Sequence, residues 1–317
     1  IFSHAVPAAS GSPDTPVPLR MSLAFLDTKT ESDVLVDFTT LKTVDDSWWD
    51  GVKRAPIFQP DWKKKHFTMA NNIFKVTLAK PERLLLVRTG MNHQQGISAE
   101  SQLFSVECVE PEGFTWSGEV DLSAVPDDKR ASVLSKLREI FTEGLDGIGK
   151  TQASIKDVEL HPLPDDLDDS AFADLGVGDQ VVITLLTDAR LMRQGFERET
   201  QTQTARGLYE DYWTGVSGGA LRLVDFFAQQ YISGGDWHHH YFQAKKTYMP
   251  EWLTRQGSVF VLALTGESAI DQLREWQRTG LLIANNAGGV KPTWKDTPYL
   301  PEHGYGRIKI NWKAQLD

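Results

Sequence analysis

Apolar positions along the chain fall into two periods. From residue 127 to 143, Val133, Leu137, Ile140 and Phe141 recur at helical spacing and make one stripe. Pro126 and Asp127 supply a start signal, and Gly144 stands where a left-handed cap belongs. The pattern over residues 21–38 suggests extended structure, and short strand-like runs lie at 74–78, 84–88, 102–107, 114–122 and 152–160. Further on, residues 181–186 read as a strand, 221–230 as helical and 238–248 as extended. Residues 258–265 form a strongly β-branched and aromatic strand. In 268–279, Ile270, Leu273, Trp276 and Gln277 fall on successive helical turns, and Gly280 ends the helix. Residues 305–312 give a closing strand. The proline-rich stretch 7–18 and the Trp-, Pro- and Lys-rich stretch 45–65 show no sustained period and read as loops.

Strand, helix, glycine-rich loop and strand thus occur twice, once from Phe114 and again from Ser258. That order is half of a β-α-β-β-α-β unit, so the predicted fold class is α+β with two ferredoxin-like (RRM-like) units. Residues 1–160 form the expected N-terminal unit, 161–180 an acidic link and 181–317 the C-terminal unit.

Charge changes the picture only after it is located. The formal net charge is −10, which by itself argues against a phosphate backbone as partner. Eight carboxylates and no Lys or Arg lie between Asp157 and Asp179, leaving −2 for the rest, so a local basic groove stays open. A single cysteine, Cys108, rules out an internal disulfide and a four-cysteine zinc site, and fits a reducing cytoplasm. The longest apolar runs, 181–186 and 259–264, are too short to span a bilayer. The start at Ile1 has no basic or apolar leader pattern and is expected to continue a longer reading frame.

Gly144-Leu-Asp-Gly147-Ile-Gly149-Lys150-Thr151 satisfies the phosphate-loop pattern letter for letter. That chemistry needs a strand before the loop and a helix after it; here the helix precedes and a strand follows. A nucleotide hydrolase is therefore refused. Two readings of the loop remain: a helix cap with a turn, or close approach of backbone to a phosphate chain. His238-His239-His240 offers two imidazoles on one face of a strand but no closed metal site. No nucleophile elbow surrounds any serine, and Cys108 has no motif. His66 and His93 are candidates for acid–base work on RNA. Lys63, Lys64, Lys65 and His66, flanked by Trp48, Trp49, Trp62 and Phe67, combine charge with stacking faces, as single-stranded RNA requires. Residues 88–96, polar and bounded by glycine, form a loop after the strand 84–87, placed for binding or for turning.

Five stretches together carry a resemblance. They are Pro16-Val-Pro-Leu19 with Ser22 and Lys29; Val87-Arg88-Thr89 through Asn92 with residues 98–105; the loop 144–151; Gln256-Gly257-Ser258-Val-Phe260; and Gly304-Tyr305-Gly306-Arg307-Ile308. The chain resembles the RAMP superfamily of CRISPR-associated proteins, and more narrowly the handle-binding type of RAMP subunit in type III-D effector complexes. The family's opening strand and helix have no counterpart before Ile1. The resemblance implies a RAMP fold whose glycine-rich loops lie between last helix and last strand and meet RNA backbone. It implies a crRNA-binding structural subunit in antiviral defence, holding the 5′ repeat-derived handle. Gly144, Gly147, Gly149, Lys150 and Thr151 would lie on the phosphates, with Arg88, Asn92 and His93 on nucleotides. Gly304, Gly306 and Arg307 would form the second glycine loop, and Trp48, Lys63, Lys64 and His66 the basic aromatic cluster. Expected partners are crRNA, backbone RAMP subunits, a large polymerase-like subunit and, indirectly, target RNA; no membrane, metal, cofactor or catalytic residue is expected. The alternative is a RAMP endoribonuclease cutting precursor crRNA with a histidine, or target RNA with an aspartate near Asp37, Asp45 or Asp46.

Overall fold

The computed structural model describes residues 6–9, 18, 20–27, 33–37, 39, 82–92, 97–110, 113–122, 125–148, 153–155, 158–161, 169–192, 204–242, 250–285 and 291–311. Within them the chain is α+β, and its sheets are antiparallel. The N-terminal part has β1 (Val6–Ala9), β2 (Leu23–Asp27), β3 (Asp33–Asp37), β4 (Arg83–Asn92), β5 (Ile97–Val109) and β6 (Phe114–Ser117). Helix α1 (Asp127–Glu143), β7 (Leu145–Ile148) and β8 (Ala153–Ile155) follow. These strands pair two by two: β1 with β6, β2 with β3, β4 with β5 and β7 with β8. A single N-terminal sheet of four strands is not formed among the described residues.

Helix α1 spans the predicted residues, with Asp127 and Asp128 in its first turn, where the positive end of the helix dipole favours acid. At Gly144 the expected left-handed cap is replaced: φ is 82° but ψ is 169°, so the chain leaves the helix extended and runs straight into β7. Two other boundaries shift. The strand entered at residue 84 continues through Asn92, so Arg88, Thr89, Met91 and Asn92, read as loop, are ladder residues facing β5, with a register shift at Gly90. The strand predicted at 114–122 ends at Ser117.

The C-terminal part opens with a short 3-10 turn (Asp169–Phe172) whose Phe172 is buried in the main core, so the acidic stretch is anchored at its end. Then come β9 (Gln180–Leu185), α2 (Ala205–Ser217), β10 (Leu221–Phe227), β11 (Gln230–Ser233), α3 (Gly235–Phe242), β12 (Glu251–Thr254), β13 (Val259–Leu264), α4 (Ala269–Thr279) and β14 (Ile308–Ile310). Four strands make one sheet in the order β10-β13-β9-β14, and β11 with β12 forms a separate hairpin that carries α3. Leaving that insertion aside, the order along the chain is β-α-β-β-α-β.

Both helices lie on one face of this sheet. On α2, Tyr209, Tyr212 and Trp213 form an inward stripe, and the Thr204 hydroxyl accepts from the Gly207 amide at 3.2 Å to cap the start. Trp213 and Tyr209 meet Phe260 of β13 with ring centroids at 5.3 and 4.9 Å, and Trp213 reaches Trp276 of α4 at 6.2 Å. Burying rings of this size accounts for much of the core's stability, about 3–5 kcal/mol for truncation of one.

Three predicted elements are corrected here. Residues 221–230, read as helical, are β10 and the start of β11: Leu221 and Leu223 are buried with Arg222 exposed between them, and Leu221 faces Leu264 across the ladder. A short apolar run fits either period, and strand pairing decided. Of residues 238–248, read as extended, 238–242 complete a helix that begins at Gly235 just after Gly234, both with positive φ, and 243–248 lie outside the described residues. The closing strand shrinks to Ile308–Ile310 because a 3-10 turn (Pro301–His303) and a glycine turn take the residues before it.

Candidate nucleic-acid interface

The first glycine loop is a β-hairpin. Leu145 faces Ile155 and Ile148 faces Ala153, so Gly147 lies in β7. Gly149, Lys150 and Thr151 lie outside the described residues. Helix before, strand pair after: this is the order on which the phosphate-loop match is refused. Gly144 is fixed by its surroundings, since a Cβ there would stand 2.9 Å from the Ile155 carbonyl oxygen, at a φ,ψ that only glycine adopts easily.

The second loop is more closely tied. Gly304 (φ 90°) ends the 3-10 turn, and Gly306 (φ 72°) lies against Leu281, whose backbone a Cβ would meet at 3.3 Å. Each amide of the turn already has a protein acceptor. Gly304 donates to the Pro301 carbonyl, Tyr305 to Leu300, Gly306 to Asp188 and Arg307 to the Thr187 hydroxyl. The glycines serve close backbone approach to the end of α4, and the four amides are not presented to a ligand. Arg307 is engaged as well: one guanidinium nitrogen donates to Glu119 at 2.5 Å and another to the Arg278 carbonyl at 3.3 Å. Gly304, Gly306 and Arg307 therefore form one unit with Glu119, while Gly144 and Gly147 sit on another element.

Arg88 and Asn92 lie on β4, opposite Phe104 and Ile97, with a register shift between Thr89 and Met91. On the same strand Leu84, Leu85, Leu86 and Val87 are all exposed. His93, Trp48, Lys63, Lys64 and His66 lie outside the described residues.

A sheet face left open by its helices is a common platform for stacked bases. Here the middle of the face away from the helices is covered, while Arg222 opposite Ala263 and Lys309 opposite Thr184 are exposed. Val259, Val261 and Ala263 of β13 point away from the helices, as does Thr184 opposite Val259, and all four are buried. Arg20, Ser22 and Leu23 are buried near this end of the sheet, the Met21 amide donating to the Gly257 carbonyl at 2.8 Å.

No protein-family model matches the sequence, and no curated relative matches it at a significant level. Among the described residues no helix is long and apolar enough to cross a membrane, and no group of three or more His, Cys, Asp or Glu is placed to hold a metal ion.

Three polar constellations escape a linear reading. Buried Arg20 binds Asp37 at 2.6 Å and the Thr39 hydroxyl at 3.1 Å, while Thr39 donates back to Asp37. Burial lowers the Arg20 pKa and the Asp37 charge opposes that. Asp188 accepts from the Tyr231 hydroxyl at 2.6 Å and the Gln256 amide at 2.7 Å, fastening the β11–β12 hairpin to the glycine turn. Nearby, Tyr305 has its pKa pushed up to about 12 by burial and by neighbouring Tyr299 and Asp188. Third, Glu251 of β12 lies between Arg190 and His238, all three buried. His238 and His240 thus belong to a helix and not to one face of a strand, and a guanidinium beside His238 opposes a cation there. The partners come from segments far apart in sequence, so no local spacing announces them.

Proposed function

We propose that the chain is a crRNA-binding structural subunit of a type III CRISPR effector complex, built from ferredoxin-like units of the RAMP kind and holding the repeat-derived handle. The observation that carries this reading is the repeat of helix, glycine cap and strand: α1 closes on Gly144 and α4 on Gly280, with φ,ψ of 82°,169° and 89°,164°. The C-terminal sheet supports it, since a β-α-β-β-α-β order with strands arranged β10-β13-β9-β14 is what a ferredoxin-like unit would require. The committed amides at Gly304–Arg307 shift the expected RNA contacts toward the first loop, where Gly149, Lys150 and Thr151 follow β7. Basic and aromatic residues from Trp48 to His66 would add charge and stacking. Partner subunits in this reading are the backbone RAMP subunits and the large polymerase-like subunit, with target RNA contacted indirectly.

Cleavage by Asp37 is disfavoured, because its carboxylate is held by Arg20 and Thr39. The test is to purify the protein from its own host and sequence any nuclease-protected RNA. Small RNAs with a uniform repeat-derived 5′ end are expected, and Gly147→Asp with Lys150→Ala should lose them. An RNA-free preparation, or full RNA retention by the double variant, rejects the reading.

A further inference from the structure

A turn beyond α4 holds an aromatic side chain out of the fold. Trp294 is 65% exposed, while Pro292 before it and Thr297 after it are buried. The backbone between these two anchors is fixed by its own bonds. The Thr293 amide and hydroxyl both donate to the Asp296 carboxylate, at 3.0 and 2.8 Å. In return, the Asp296 and Thr297 amides donate to the Thr293 carbonyl, at 2.9 and 3.2 Å. Lys295 places its ammonium 5.3 Å from the centre of the Trp294 ring, over one face, so the opposite face is the one available to a planar ligand.

A single exposed apolar residue is ordinary on a protein surface. Charge sets this one apart. Between Glu275 and Asp296 the sequence has no carboxylate, although the whole chain carries −10. Arg190, Arg206, Arg274, Arg278 and Arg307 of the C-terminal part each hold a carboxylate. Lys291 and Lys295, both exposed, hold none among the described residues, and the Asp296 carboxylate is turned back onto Thr293. Two uncompensated cations thus flank one indole on a backbone that is already fixed.

We propose that Trp294, with Lys291 and Lys295, is a stacking site for one base of a single-stranded RNA, the two lysines taking the phosphates on either side of it. This rests on the RNA-binding reading above and adds to it a contact on an element separate from both glycine loops. A nucleotide matches what the turn presents: a flat ring for the open indole face and negative charge for the two ammonium groups. A protein partner matches it less well, since lysine is depleted in protein interfaces, whereas phosphates are held by Lys and Arg. Because the turn is fixed before a ligand arrives, little ordering cost is set against the stacking.

The test follows the fluorescence anisotropy of a labelled oligouridylate with the full chain at several salt concentrations. Wild type is compared with Trp294→Ala, Trp294→Phe and the double variant Lys291→Gln with Lys295→Gln. Trp294→Ala should weaken binding about 5- to 150-fold, the worth of stacking one base, and Trp294→Phe, which keeps a ring, should stay within about threefold of wild type. The double lysine variant should lower the slope of log affinity against log salt by about 1.4, or about 0.7 for each contact. Wild-type affinity in Trp294→Ala assigns the indole to a protein partner and overturns the proposal. A loss that phenylalanine does not restore, or an unchanged salt slope in the lysine variant, overturns it too. A wild type that binds no oligouridylate rejects the RNA reading and this site with it, whereas the other failures strike the site alone.

Discussion

Gly144 and Gly280 close two helices in nearly the same backbone geometry, with φ,ψ of 82°,169° and 89°,164°, and in each a Cβ would run into the backbone of a segment further along the chain. At Gly144 the obstacle is the Ile155 carbonyl at 2.9 Å, and at Gly280 it is the Tyr305 carbonyl at 3.2 Å. The two halves of the chain therefore share a device as well as an order of elements. In both, the helix ends abruptly and a segment further along the chain packs against the glycine that ends it.

Alanine at either position should lower stability by about 1–3 kcal/mol, because the conformation is nearly exclusive to glycine and the space is taken. Gly215 is the control: it lies inside α2 with ordinary φ and nothing within 4 Å of its added Cβ, so Gly215→Ala should raise stability by about 0.5–1 kcal/mol. Urea unfolding of the three variants reads this directly. Equal changes in all three would contradict it.

The Arg190–Glu251 pair is held where neither group meets water, with 0% and 1% of the side chains exposed. Glu251→Ala leaves the guanidinium buried without its counter-charge and should cost about 3–5 kcal/mol. Arg190→Met combined with Glu251→Leu should cost clearly less than the two single losses added together. Additive losses in denaturant titrations would mean that the pair does not act as a unit.

Arg307 and Glu119 tie the glycine turn to the N-terminal part of the chain. With Glu119 42% exposed, solvent screens the contact, and a double-mutant cycle should give a coupling of only about 0.2–1 kcal/mol. If an RNA phosphate takes over Arg307, Glu119→Gln should tighten RNA binding, and Arg307→Gln should cancel that gain. Filter binding of a labelled oligouridylate reads both. Unchanged affinity in Glu119→Gln would leave Arg307 a purely internal tie.

RNA held through phosphates carries a salt dependence. The logarithm of affinity should fall linearly with that of salt concentration, and Lys150→Ala should lower the slope by about 0.7, the share of one contact to a single strand. A parallel line of the same slope would remove Lys150 from the interface.

Local pattern was enough where an element's own residues decide its form. Helix α1 and helix α4 are readable from their apolar period and from the glycine at which each stops, though not the conformation of that glycine, and β13 from its unbroken apolar run, because helical period and β-branched content act within a few residues. The reversed order around Gly144 is equally plain, and with it the refusal of a phosphate loop. Helix α2 is less so, since Gly207, Thr214 and Gly215 are poor helix formers and its form depends on Tyr209, Tyr212 and Trp213 finding Phe260 and Trp276.

By itself the sequence determined an α+β chain with a repeated order of helix, glycine and later strand, a concentrated acidic stretch and a single cysteine that allows no internal disulfide. Only the tertiary structure decided that 221–227 is a strand, that the amides after Gly304 are already bonded, that Asp37 answers to Arg20, and that His238 is enclosed with Glu251 and Arg190. The reason is common to all four. A short apolar run, a glycine turn or a single histidine has several local options of similar energy, and the choice among them falls to partners that approach only when distant segments pack together.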